Sequence, residues 1–137
     1  MIDRLKENLA RRPHWMNAVM VFCFFMTFIY LPWDVFIKPV AEDQEVWFGV
    51  LFYGWLAKIG GLLHWFVYGA GAYGLWNMKR WLHPWVEIYV LQVAFSMGVW
   101  SFSAEDGTPV WIELLVIGAF VFLAWCFYRN RNLNKTS

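Results

Sequence analysis

Apolar runs and short polar breaks alternate along this chain. Three runs, residues 15–33, 85–102 and 110–128, hold 18 or 19 residues each. As helices they would measure about 27–28 Å, close to the roughly 30 Å thickness of a bilayer's hydrocarbon core. The pattern predicts a transmembrane helix over each. Pro32 is expected to stop the first of them, with Asp34 just beyond.

A fourth run, Val46 to Asn77, is too long for one plain crossing. As a straight helix it would measure about 48 Å and would need a tilt beyond the usual range. Lys58 and the pair Gly60-Gly61 punctuate it, and paired glycines kink helices. The expectation is a crossing over 59–77 with an outer extension over 46–57. That extension (VWFGVLFYGWLA) has no charge and no clear amphipathic split. It is interfacial, re-entrant or part of one long tilted helix, and it needs cover from lipid, its own bundle or a partner.

The predicted fold is therefore all-α: one transmembrane domain over 1–137, an antiparallel four-helix bundle with the second helix long or broken near Lys58–Gly61. Short loops favour sequential helices as neighbours. The basic lead, residues 1–14, is followed by 19 apolar residues and no small-x-small cleavage site, so the first helix reads as retained.

Composition agrees with a membrane class: 61% of residues are hydrophobic and 22% aromatic, but only 15% are charged. Charge then adds orientation. Of eleven Lys and Arg residues, nine (4, 6, 11, 12, 79, 80, 129, 131 and 135) fall in the N-terminal lead, the 77–84 loop or the tail. The positive-inside rule puts both termini and that loop in the cytoplasm, and the acidic loops 34–45 and 103–109 outside. Short loops point to a bacterial inner membrane. The net charge of +1 gives no electrostatic case for nucleic acid.

Polar residues within the runs are the candidate chemistry, because ionisable groups in a bilayer are costly. On a helical wheel, Ala57, Gly60, Gly61, Gly71 and Ala72 share a small-residue packing face with His64, while Trp65 and Phe66 point away. Depth along the helices suggests a polar centre of His64 with Ser96, Thr27 and Gln92. It also suggests a Lys58–Glu113 pair near the outer side, and a cytoplasmic-edge pair of Glu87 with Arg80 or Arg129.

Cys23 and Cys126 form no CxxC motif, and no hydrolase, phosphate-loop or metal-cluster signature is present. Nothing in the pattern names a catalyst. The first expectation is a non-enzymatic accessory or interaction subunit, packed against other membrane subunits or as a homo-oligomer, with lipids as its surroundings. The second is a small proton-coupled carrier or channel using Lys58, His64 and Glu113. The third is a pigment- or quinone-associated redox subunit, with His64 as a lone tetrapyrrole ligand or a quinone contact.

Overall fold

A computed structural model of the chain describes residues 1–103 and 109–136. A short amphipathic helix α1 (Ile2–Ala10) leads in. Then α2 (His14–Phe25) runs through a π-helical turn, Met26–Tyr30, into α3 (Leu31–Phe36) as one continuous rod. Pro32 does not stop this helix. It lacks the N–H that would bond back into the preceding turn, and the wider π turn directly before it takes up the mismatch.

The next segment departs furthest from expectation. Residues 44–53 are not helical. They form an antiparallel β-hairpin, β1 (Gln44–Trp47) and β2 (Val50–Tyr53), with Val46 opposite Leu51 and Trp47 opposite Val50. Phe48 (φ 50°) and Gly49 (φ 80°) make the two-residue turn, and both central residues have the positive φ of a type I′ hairpin. The helix α4 (Gly54–Trp76) starts at Gly54, whose φ of 60° redirects the chain, and continues unbroken through Lys58 and Gly60-Gly61. The expected break at Lys58–Gly61 is thus displaced to Gly54. The two glycines serve close approach instead: a Cβ on Gly60 would lie 2.7 Å from Trp47 Nε1, and one on Gly61 3.3 Å from Val35.

The loop after α4 holds a 3₁₀ turn, Arg80–Leu82. Helices α5 (Trp85–Ser103) and α6 (Val110–Arg129) follow. Most of the expected 103–109 acidic turn lies outside the described residues. Among the described residues, three helical stretches are long and apolar enough to cross a membrane: His14–Phe36, Arg80–Ser103 and Val110–Arg129.

Packing forms two helix pairs, α2 with α4 and α5 with α6. Although consecutive, α4 and α5 make no comparable contact along their length; β1 lies against both and fills part of the gap. The buried core joins Met16, Met20 and Cys23 of α2 to Ala72 and Leu75 of α4, and to Leu82 and Phe127. Small residues set the α2–α4 spacing, as at Gly71, where a Cβ would meet Cys23 Sγ at 3.4 Å.

Both terminal segments dock on the chain around residues 75–80. Asn8 donates to the Trp76 carbonyl at 3.1 Å, and the buried Arg12 to the Leu75 carbonyl at 3.0 Å. These donors satisfy carbonyls that the last turn of α4 leaves open. Burial and the neighbouring charge of Arg11 lower the pKa of Arg12. The tail bonds in the same place: Thr136 accepts from Arg80 N–H at 2.7 Å and donates to the Met78 carbonyl at 3.1 Å.

Candidate functional site

Two polar clusters occupy the end of the molecule opposite the terminal segments, both organised by α4. The first is ionic. Lys58, in the second turn of α4, lies level with the 34–43 segment because α4 starts at Gly54. Its Nζ sits 3.0 Å from Asp43 Oδ2 and donates to the carbonyls of Asp34 and, at 2.8 Å, Lys38. It thereby also caps the negative C-terminal end of α3. Lys38 completes the set, 3.1 Å from Asp34 Oδ1 and 3.0 Å from Asp43 Oδ1. Two lysines and two aspartates cancel in charge, which makes burial tolerable: Asp34 and Asp43 are each 1% exposed and Lys58 6%.

Burial disfavours the charge on Asp43, but hydrogen bonds from Lys58 and Lys38 outweigh it and hold its pKa below the ordinary value. For Lys38, burial is likewise outweighed, by Asp43 and Asp34, and its pKa rises above the ordinary value.

The second cluster surrounds His64, on α4 between β1 and α5. Its Nε2 lies 3.3 Å from Glu45 Oε2, and its Nδ1 lies 2.7 Å from the Tyr89 hydroxyl. The Trp47 indole stacks on the imidazole with ring centroids 4.1 Å apart and planes inclined by 22°. In the tautomer that carries its proton on Nε2, toward the Glu45 carboxylate, Nδ1 accepts and Tyr89 donates to it. Beside this chain lies a cavity of about 230 Å³. Its walls include Val46 from β1, His64 and Tyr68 from α4, and Tyr89, Gln92 and Ser96 from α5. Gln92 Nε2 donates to Ser96 Oγ at 2.8 Å, while Gln92 Oε1 is buried without a hydrogen-bond partner.

The structure brings His64, Gln92 and Ser96 together as expected, and separates others. Thr27 is not part of this centre. It belongs to the π turn, donates to the Cys23 carbonyl at 2.7 Å, and through its own carbonyl accepts from Trp65 Nε1 at 2.8 Å. Trp65 therefore faces that turn rather than pointing away, whereas Phe66 is 75% exposed, as the wheel implies. Lys58 does not pair with Glu113. Glu113 is buried in the first turn of α6 and has no ion pair among the described residues. Lys58 and His64 have separate acidic partners, Asp43 and Glu45. At the other end of the molecule, Glu87 pairs with neither Arg80 nor Arg129. Its partner is His83, Nδ1 to Oε1 2.5 Å, one helical turn earlier. Arg129 stacks over the Trp125 ring at 5.2 Å.

Asp34, Lys38, Asp43, Glu45, Trp47 and Tyr89 complete the two clusters and were not singled out by sequence reasoning. The available signal was that a buried lysine needs an acid, and the 34–45 segment holds four. Misplacing the start of α4 moved Lys58 to the wrong level and hid that match. Among the described residues, no group of three or more His, Cys, Asp or Glu side chains could hold a metal ion.

Comparison of the chain with family models, with curated proteins and with solved structures finds no match.

Proposed function

We propose that this chain is a small integral membrane protein that acts by associating with another membrane helix, from a partner subunit or a second copy, rather than by catalysis. The observation that carries this reading is a stripe along α6. Trp111, Leu115, Gly118, Phe122 and Trp125 recur at helical spacing, and the four large members are 63%, 64%, 62% and 48% exposed. Gly118 sits at the centre, with nothing within 4 Å of the position a Cβ would take. A glycine flanked by large apolar side chains lets a second helix approach closely, which is how helices associate in lipid. The inward polar groups support the same reading. Lys58 is enclosed in a neutral ionic cluster that holds α4 to the 34–43 segment.

In this reading the host is a bacterial inner membrane crossed four times, with α1, the 77–84 loop and the tail cytoplasmic. The nine basic residues in those segments support that orientation, as does their docking at one end of the helices. Gentle extraction from native membranes followed by native mass measurement tests the association. A mass above that of one chain is expected, reverting to a single chain in Gly118→Leu. A lone monomer in both lipid discs and native extracts would overturn the reading.

A further inference from the structure

The cavity between α4 and α5 has a chemistry that the association of α6 does not use. One of its buried polar atoms is an acceptor with capacity left over. Gln92 is 8% exposed, and its Oε1 has no partner. The Tyr89 hydroxyl on the same wall is already engaged, by His64 Nδ1 at 2.7 Å and by the Tyr68 hydroxyl, so Gln92 Oε1 is the open acceptor there. A buried acceptor left unmade is costly, so a ligand that donates to it gains affinity. Apart from Ser96, which accepts from Gln92 Nε2, the remaining walls are apolar or aromatic, and the exposed side chains of Met97 and Trp100 form the lip. That lip lies on α5, part of an apolar stretch long enough to cross a membrane, so the ligand enters from lipid. A volume of about 230 Å³ admits one substituted aromatic ring, since a cavity of roughly 150 Å³ accepts benzene.

We infer that this cavity binds the ring of a lipid-soluble quinol, one hydroxyl of which donates to Gln92 Oε1 while its aliphatic tail leaves past Met97 and Trp100. The Glu45–His64–Tyr89 chain fixes the imidazole and the Tyr89 hydroxyl beside that site. The stacked Trp47 holds the imidazole in that orientation. Hydroxyl-bearing ligands are thus preferred over rings of the same shape that cannot donate.

The probe is a decyl-substituted 1,4-benzoquinol, kept reduced, compared with its dimethyl ether. Both are titrated into the full chain in lipid discs, with empty discs subtracting simple partition. Saturable binding of the quinol is expected, with the ether at least about tenfold weaker, the size of one lost hydrogen bond. Gln92→Leu removes an unsatisfied atom and is expected to fold; it should abolish the preference for quinol over ether. Met97→Trp, at the exposed lip, should weaken both ligands by obstructing entry, with the thermal unfolding profile unchanged. Equal affinity for quinol and ether, absence of saturable binding, or an unaltered preference in a folded Gln92→Leu variant would each overturn the proposal.

Discussion

Lys58 touches Asp43 and two backbone carbonyls inside an almost fully buried cluster. Removing one member of such a pair strands the other, at a cost of about 3–5 kcal/mol. Lys58→Ala is therefore expected to destabilise the fold by that amount in thermal unfolding. Exchanging Lys58 for Met and Asp43 for Leu together should recover most of the loss, leaving Lys38 with Asp34. Glu113→Gln, which breaks no ion pair with a described residue, should change far less. The cluster also sets a pH dependence. Asp43 titrates below its ordinary 3.8, so its contribution is complete above that value and is lost as pH falls through the lower folded pKa. Lys38 titrates above its ordinary 10.5, so its contribution is complete below that value and is lost as pH rises through the folded pKa. Unfolding temperature followed against pH should fall at both extremes, and Asp43→Asn should flatten the acid limb. The sequence marks Lys58 and His64 as residues needing partners because charge and polarity stand out in an apolar run. It does not identify those partners, because they depend on where α4 begins.

The hairpin is the element that decides this. Its turn is Phe-Gly rather than Asn-Gly, and from Val46 to Tyr53 its strand residues are apolar on both faces, so no alternation separates that stretch from a buried helix. The spans 15–33, 85–102 and 110–128, by contrast, lie within three residues of the helical limits His14–Phe36, Trp85–Ser103 and Val110–Arg129. Length and hydropathy suffice where a helix is plain. The hairpin turn packs on α5 so closely that a Cβ on Gly49 would fall 2.4 Å from Val99 Cβ. Gly49→Ala thus combines a strained φ with an overlap, and a loss of about 1–3 kcal/mol is expected in thermal unfolding. Gly118→Ala meets empty space and should leave monomer stability unchanged or slightly raised, because alanine favours the helix. The pair distinguishes a glycine required by the fold from one free for association.

For the whole molecule, the proposed orientation predicts which surfaces a membrane-impermeant thiol reagent can reach. With Cys23 and Cys126 replaced by Ala, Glu42→Cys should label in intact cells, and Arg4→Cys only after permeabilisation; both positions are exposed. The reverse pattern would invert the orientation. The two-pair arrangement of α2–α4 and α5–α6, joined by β1 and the His64–Tyr89 bond, was not legible in the sequence. Short loops suggest that successive helices are neighbours, but the hairpin occupies the space between α4 and α5.

The docking of both terminal segments onto residues 75–80 has a further consequence, one of parity. Among the described residues three stretches are long and apolar enough to cross a bilayer, and an odd number of passes would leave the two terminal segments on opposite sides. In the four-pass reading proposed above, α4 supplies the further pass and both terminal segments share one side, in keeping with their hydrogen bonds to one short loop. The glycines, lysine, histidine and aromatic residues of α4 dilute its hydropathy, and that lysine and histidine are the residues on which the two polar clusters are built.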